Sequence, residues 1–221
     1  MVLTDQDVTV DSSVGVSVAN AKSIAADTTG TVTATIASGT RVTKLTELRD
    51  PDGGGGGGNE ENAWTITLDG ADATVATAAQ LNTINAATSE AITSNEITAL
   101  AASDLSDLAT LNTNAAGFSD LTNLAAITLT DNGGGDGSVD FGTLKDIVDN
   151  YQDDVNADVV FSFQSGDTIV IDTESELSAF LADIVSGAIE LTNQTIVIDS
   201  AAPITVSQAN TINGSTRWLI L

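Results

Sequence analysis

The two ends of the chain carry the same sequence unit. The segment VTVDSSVGVSVANAKSI (Val8 to Ile24) aligns without a gap with IVIDSAAPITVSQANTI (Ile196 to Ile212), and Asp199 corresponds to Asp11. A third segment, ITLDGADATVATAAQLNTI (Ile66 to Ile84), begins and ends in the same way and has two additional residues in its turn. This repetition constrains the fold strongly, because a unit of this size buries its apolar face only against neighbouring copies.

Five segments of the chain share a run rich in β-branched residues that ends in aspartate. The sequence TIVID occurs at Thr168 to Asp172 and again, unchanged, at Thr195 to Asp199, and ITLTD at Ile127 to Asp131 is a looser relative. β-Branched side chains fit the half-buried surface of a strand, and an aspartate carboxylate accepts hydrogen bonds from backbone N–H groups in a turn. Each segment therefore predicts a strand that ends in a turn.

A short helix is predicted to follow the turn. Thr77 to Gln80 and Thr173 to Glu176 match the capping box, in which two residues three apart satisfy backbone N–H groups at a helix start. Beyond the helix, TGTVTATI (Thr29 to Ile36) and STRWLIL (Ser215 to Leu221) return to strand-forming sequence. The repeated unit is thus strand, turn, short helix and strand.

We expect a β-rich α+β fold made of these repeat-derived strand–turn–short helix–strand units. Because the strand starts are unevenly spaced, the sequence favours a repeat-derived fold over a regular solenoid. The alternative is that segments rich in Thr, Ala and Asn look alike through composition alone.

Three regions are predicted along the chain. Residues 1–50 form an N-terminal repeat unit, residues 51–62 a glycine-rich linker or loop, and residues 63–221 a repeat-derived β-rich domain with short helices. The linker contains six consecutive glycines, which carry no side chains to pack and lose much conformational entropy on ordering.

The chain is strongly acidic, with 31 Asp and Glu residues against six Lys and Arg and a formal net charge of −25. Nucleic acid is excluded as a partner, because binding a polyanion requires basic side chains that displace its counterions. No apolar run approaches the ~20 residues of a membrane-spanning helix, and an anionic membrane surface would repel the chain. We therefore expect no nucleic acid partner and no membrane insertion.

Two residue types that serve many active sites do not occur, since the sequence contains no Cys and no His. Cysteine nucleophiles, Cys/His zinc sites and the Ser-His-Asp triad are therefore excluded. Carboxylate chemistry stays open, but a glycosidase needs two acids that face each other across a cleft, which no sequence feature indicates. We expect no enzymatic activity.

One glycine-rich stretch, DNGGGDGSVD (Asp131 to Asp140), has the composition of a calcium-binding loop. Calcium takes oxygen ligands from carboxylates and carbonyls, and Asp131, Asn132, Asp136 and Asp140 are the candidate ligands for Ca²⁺. The spacing matches neither the EF-hand loop nor a GGxGxD nonapeptide repeat. The alternative is a glycine-rich β-turn that holds no ion.

A second group of acids consists of the aspartates that end the predicted strands, namely Asp11, Asp69, Asp131, Asp172 and Asp199. If the units stack, these carboxylates form a row along one edge, where like charges repel unless they are spaced or bridged by cations. The alternative is that they are five ordinary turn residues.

Basic residues cluster in one place. Arg41, Lys44 and Arg49 lie within nine positions of one another in an otherwise acidic chain. Such a cluster is suited to the acidic face of a neighbouring molecule, because complementary charge guides association. A solvated local patch is the alternative.

Several phrases resemble a known class of repeats. SVANAKSIAADTTGTVTATI, AQLNTINAAT and ITVSQANTING are similar to the Thr/Ala/Asp-rich repeats of very large secreted or cell-surface proteins of bacteria, especially marine cyanobacteria. Some of those proteins also carry calcium-binding glycine-rich repeats. The resemblance covers about half of this chain, and it implies an extracellular, non-enzymatic, structural or adhesive role.

The sequence thus suggests a self-assembling subunit of an extracellular filament, surface layer or adhesin. Copies of the chain itself are the expected partners, because unpaired strand edges at the two ends accept further strands. Insertion of the N-terminal strand, Asp7 to Val18, into a neighbour is one way to join copies. A virion component, such as a capsid decoration or fibre protein, is the alternative. The opening residues do not match a secretory signal peptide, so the export route stays open.

Overall fold

The computed structural model describes residues 6–49, 62–130, 138–164, 166–199 and 204–215. The protein is mixed α/β with parallel sheets. Helices account for 41% of the residues and strands for 23%. The predicted combination of strands and helices is confirmed, whereas the prediction of a β-rich chain is wrong, because helix exceeds strand. The two longest helices, Phe141–Asp154 and Glu174–Ser186, contribute much of this helix content.

The chain divides into two compact units, which are described separately. The first comprises Met1–Thr98 and Thr113–Asn123, and the second comprises Ala99–Asn112 and Leu124–Leu221.

The predicted glycine-rich linker, residues 51–62, lies outside the described residues except for Asn62. The strands on either side of it, Val32–Thr35 and Ala63–Thr65, pair with each other in parallel within the first unit. The predicted boundary therefore falls between two paired strands.

Strands and helices alternate in the first unit. In chain order they are β1 (Val8–Val10), α1 (Val18–Ala26), β2 (Val32–Thr35), α2 (Val42–Leu45), β3 (Ala63–Thr65) and α3 (Ala78–Asn85). Short 3₁₀ turns lie at Thr46–Leu48, Ala73–Val75 and Ala115–Gly117. The strands form a parallel sheet in the order β1-β2-β3, and Trp64 and Leu81 are buried in the core.

The second unit follows the same alternation with longer helices. In chain order its elements are β4 (Ala99–Ser103), α4 (Leu105–Thr113, whose last residue belongs to the first unit), β5 (Ala126–Leu129), β6 (Ser138–Asp140), α5 (Phe141–Asp154), β7 (Val160–Phe163), β8 (Thr168–Ile171), α6 (Glu174–Ser186), β9 (Ile189–Glu190), β10 (Thr195–Ile198) and α7 (Val206–Ser215). They build two parallel sheets, ordered β4-β5-β7-β9 and β10-β8-β6. Edge-to-face aromatic pairs, Phe141 with Phe180 and Tyr151 with Phe161, fill the core.

The two identical TIVI sequences are neighbouring strands. β8 and β10 pair in parallel with every residue opposite its identical counterpart, from Thr195 opposite Thr168 to Ile198 opposite Ile171. The predicted strands that end before aspartate are therefore confirmed here. The looser relative ITLTD behaves differently, because its strand, β5, belongs to the other sheet of the unit.

The similar segments at the chain ends form equivalent elements. Their gapless alignment superimposes β1 on Ile196–Ile198 of β10, and it makes Val18, the first residue of α1, equivalent to Val206, the first residue of α7. After its two additional residues, the third segment places Ala78, the first residue of α3, at the same point. The repeated sequence thus specifies a strand, a turn and a helix start at fixed offsets.

The predicted helix starts are confirmed by their caps. Thr77 Oγ1 accepts from Gln80 N at 3.2 Å and Gln80 Oε1 accepts from Thr77 N at 3.0 Å, which completes the capping box of α3. At α6, Thr173 Oγ1 accepts from Glu176 N at 3.1 Å, but the Glu176 carboxylate accepts from Asp172 N, one residue earlier than predicted.

Polar side chains connect segments that are about 30 residues apart in the sequence. The Asn62 side-chain oxygen Oδ1 accepts from Val32 N at 2.8 Å, across 30 residues. In the second unit Gln194 Nε2 donates to Gln164 O at 3.0 Å, again across 30 residues. Buried backbone groups in turns need such partners, because they are shielded from water. These two bonds therefore join positions at the ends of strands in neighbouring segments.

We expect Gln194→Ala to lower the free energy of unfolding by about 1–3 kcal/mol, because it removes three hydrogen bonds at a buried site. Gln194 is 1% exposed, and its Oε1 also accepts from Thr192 N at 2.7 Å. Urea denaturation measures the change. Gln152→Ala is the matched control, since Gln152 is half-buried and forms one long bond of 3.5 Å to Val159 O. Equal losses in the two variants would contradict this role for Gln194.

Candidate functional site

The predicted calcium ligands are only partly within the described residues. Asp131, Asn132 and Asp136 lie outside them, and Asp140 is the residue that precedes α5. Asp140 Oδ1 accepts from Thr143 N at 2.8 Å and from Thr143 Oγ1 at 2.6 Å. Within the described ranges, no three acidic residues are close enough to hold a metal ion together. Asp140 therefore acts as a helix cap.

The predicted row of strand-terminal aspartates is reduced to one neighbouring pair among the described residues. Asp172 and Asp199 follow the paired strands β8 and β10, and Asp199 N donates to Ile171 O at 2.9 Å. Asp11 and Asp69 belong to the first unit, and Asp131 lies outside the described residues.

Asp69 is a turn residue that bonds to another segment. Its Oδ1 accepts from Gly39 N at 2.7 Å, across 30 residues. The alternative interpretation of these aspartates as turn residues therefore applies to Asp69, although its hydrogen-bond donor belongs to the neighbouring segment.

The basic cluster lies on the surface of the first unit. Arg41 precedes α2, Lys44 lies within it, and Arg49 follows the 3₁₀ turn, with all three side chains exposed. Lys44 Nζ is 2.6 Å from Glu47 Oε1, and both groups face solvent, so the pair contributes little to stability. The helix α1, which carries Lys22, packs against the same turn.

One charged cluster was missed by sequence reasoning. Lys145 on α5 forms an ion pair with Asp149 and lies 3.9 Å from Asp183 Oδ1 on α6. Asp183 is 9% exposed, and its Oδ2 is buried with no hydrogen-bond partner. Burial raises the pKa of the Asp183 carboxyl, Lys145 partly opposes this change, and Asp149 adds to it. The spacing of Lys145 and Asp149 was the only signal in the sequence, because it is typical of an ion pair on a helix.

A surface hollow of about 280 Å³ lies beside this cluster, between α5 and α6. Phe141, Lys145, Asp146, Glu176 and Ala179 contribute to its lining. Its amine, Lys145, is already paired with Asp149. Ser175 also contributes to the lining, and its hydroxyl lies 3.0 Å from Thr173 Oγ1.

Strand edges at the two repeated ends form a different kind of candidate site. Within the described part of the chain, β1 pairs only with β2 and β10 pairs only with β8. Val8 and Val10 are half-buried, whereas the residues opposite them in β2, Val32 and Ala34, are 0% and 3% exposed. The edge of β1 therefore carries half-buried apolar side chains, whereas Ile196 of β10 is 1% exposed.

No helix among the described residues is long and apolar enough to cross a membrane. Comparison of the chain with protein-family models, with characterised proteins and with solved structures gave no match. The resemblance to bacterial surface repeats therefore stays a prediction.

We expect Asp140→Ala to cost about 1 kcal/mol of stability through loss of the cap, and Asp140→Asn to cost much less, because Asn is also a good N-cap. Thermal unfolding in calcium and in chelator measures both variants. If Asp140 acts only as a helix cap, each variant should lose the same stability in calcium as in chelator. A loss in Asp140→Asn that occurs only in calcium would instead identify Asp140 as a calcium ligand.

A second prediction concerns pH. Because the pKa of Asp183 is raised by folding, the folded protein binds this proton more readily than the unfolded chain does. Protonation of Asp183 therefore stabilises the fold near the unfolded-state pKa of about 3.9, and this contribution is lost as the pH rises through the higher folded-state pKa.

Asp183→Asn removes this titration, so the stability of the variant relative to the parent should increase from pH 4 to pH 7. Urea denaturation at the two pH values measures the difference. Asp153→Asn, which removes a charge from an exposed position of α5, is the control. A relative stability of Asp183→Asn that does not change with pH would contradict the prediction.

Proposed function

We propose that this chain is a non-enzymatic extracellular structural protein that self-assembles as the subunit of a filament, a surface layer or an adhesin. The observation that carries the proposal is the parallel, in-register pairing of two identical strands, β8 and β10. This pairing is a direct example of the repeated sequence accepting another copy of itself. A second chain offers the same sequence in the same form.

The body of such a subunit is a repeat-derived, solenoid-like stack. Along one sheet Ile127 lies opposite Phe161, and Phe161 lies opposite Ile189, so each strand adds to the preceding one after a segment that contains a helix. The side-chain bonds between turns support this interpretation, because they connect residues 28 to 32 apart in both units. A stack of this kind has exposed edges at its first and last strands unless another element covers them.

Charge supports a role in which assembly depends on the ionic conditions. A net charge of −25 keeps separate chains apart in dilute salt, because their acidic surfaces repel. Screening acts over about 8 Å at physiological ionic strength and weakens this repulsion without weakening strand pairing. Cations therefore favour assembly through screening, with or without a specific binding site.

We expect the purified chain to form filaments or sheets at physiological salt, and to form fewer of them in dilute buffer. Negative-stain electron microscopy and sedimentation velocity measure this in four solutions, with calcium or with chelator at each of two ionic strengths. Loss of polymers in chelator at constant ionic strength would show that assembly also requires a specific metal ion. Uniform single particles in all four solutions would contradict autonomous assembly.

A further inference from the structure

We propose that the basic surface of the first unit, which comprises Lys22 and the cluster Arg41, Lys44 and Arg49, docks on the carboxylate-rich second unit of another copy of this chain. The proposal rests on the proposed function, because it specifies a surface through which the copies join. Each joined pair keeps one unused basic surface and one unused second unit, so further copies add in the same direction. The expected product is a polar, head-to-tail polymer.

Three of these four cations have no ion pair among the described residues. Lys44 pairs with Glu47, whereas Lys22, Arg41 and Arg49 pair with no described carboxylate, and all three side chains are exposed. Acidic residues outnumber basic ones by 31 to six in the chain, so a shortage of carboxylates does not explain the unpaired cations. Within the described part of the chain, their charge is therefore available to a carboxylate of another molecule.

The carboxylates in the turn next to Arg41 are bonded to backbone groups. Asp69 Oδ1 accepts from Gly39 N at 2.7 Å, and Asp72 Oδ1 accepts from Val42 N at 2.7 Å. Neither acid forms an ion pair with the Arg41 guanidinium. The Arg41 side chain also makes no capping hydrogen bond at the start of α2, so neither helix capping nor an ion pair with these acids accounts for it.

The packing of the first unit directs these cations to solvent. Every third residue of the segment after Arg41 is buried, namely Val42, Leu45 and Leu48. Arg41 and Lys44 are also three residues apart, so they lie on one side of this segment, next to the buried row. The helix α1 buries Ala21, exposes Lys22 and packs against the turn Thr46–Leu48. The four cations therefore belong to neighbouring elements of one packed unit.

The chemistry that this surface fits is that of protein carboxylates. An arginine guanidinium donates two parallel N–H groups to one carboxylate, and a lysine amine adds a compact positive charge. The second unit contains seventeen acidic and two basic residues. One of the two, Lys145, is already paired with Asp149. The second unit of another copy thus offers many carboxylates that have no cation of their own.

Charge favours the joining of unlike units over the joining of two second units. The first 49 residues contain four basic and five acidic residues, so this segment is nearly neutral. A contact between two second units brings two strongly acidic surfaces together, whereas the basic surface meets an acidic one with attraction at the contact. The same reasoning disfavours contact between two basic surfaces.

Zero-length crosslinking tests the contact in the parent chain. A carbodiimide joins a lysine amine to a carboxylate that touches it, and the chain has three lysines, Lys22, Lys44 and Lys145. Isotope-labelled and unlabelled chains are mixed, assembled, crosslinked and digested, and mass spectrometry then identifies the links that join a labelled to an unlabelled peptide. We expect such links between copies from Lys22 and Lys44 to acidic residues of the second unit.

Lys145 is the control within the same sample. Its amine is paired with Asp149 and lies 3.9 Å from Asp183 Oδ1, so its links should fall within one chain. For each lysine, links between copies are divided by links within a copy, which removes differences in reactivity. The proposal is overturned if this ratio is no higher for the two first-unit lysines than for Lys145.

A second result would also overturn the proposal. Residues 50–61, which follow Arg49, contain four acidic residues. Links from Lys22 and Lys44 that are confined to acidic residues of their own chain, including these four, would show that the basic surface serves its own chain.

Charge removal tests the same surface without a crosslinker. The triple variant Lys22→Gln, Arg41→Gln and Arg49→Gln removes the three cations that have no described partner. We expect it to associate about five- to tenfold more weakly than the parent, because each exposed ion pair contributes little and three are lost. Sedimentation velocity measures association, and circular dichroism verifies the fold.

The matched control changes the net charge by the same amount and leaves the basic surface intact. It carries Thr74→Glu, Ala79→Glu and Ser119→Glu, at three exposed positions of the first unit. We expect a much smaller loss of association in this control than in the Gln variant. Equal losses would overturn the proposal, since net charge alone would then explain both.

The outcomes separate this contact from the proposed function. If the parent chain assembles and the Gln variant assembles equally well, the structural role stands and the contact between the basic surface and the second unit is overturned. A parent chain that never assembles contradicts the proposed function itself.

Discussion

Hydrogen bonding between segments about 30 residues apart is the interaction on which the structure depends. The strands pair in parallel, and polar side chains bond to the backbone at strand ends of the neighbouring segment, as Asn62 does with Val32 N and Gln194 with Gln164 O. Parallel strands need connections that cross from one end of the strand to the other, and turns in those connections leave backbone groups without helix or sheet partners. The abundance of Asn, Gln, Asp, Ser and Thr serves this need. A richly polar sequence therefore supplies partners for many buried backbone groups, although Asp183 Oδ2 is itself buried without a hydrogen-bond partner.

The buried core is built mostly from aliphatic side chains. Aromatic residues are 4% of the chain, and several of them, including Phe141, Tyr151, Phe161 and Phe180, are concentrated in the second unit. Elsewhere the buried positions are mostly Val, Ile, Leu and Ala. Val8 and Val10 of β1 are half-buried, and the proposed assembly would cover them.

Acidic charge opposes the proposed association of copies. The carboxylates are concentrated after the first 49 residues, where two basic residues accompany twenty-six acidic ones. Like charges on two chains repel each other, and salt screens this repulsion. Within one chain, the carboxyl of Asp183 keeps a raised pKa although Lys145 Nζ lies 3.9 Å away. If copies assemble as proposed, their association should depend on ionic strength.

The sequence by itself determined the local features of this protein. It located the TIVI strands, the aspartates that follow them and the helix starts at Thr77 and Thr173, because capping and turn formation involve residues only a few positions apart. The tertiary structure alone decided which strands become neighbours. It placed ITLTD in a different sheet from the TIVI pair, gave helix the larger share, and buried Asp183 against α5. Those outcomes depend on packing between residues far apart in the chain, and no local pattern encodes them.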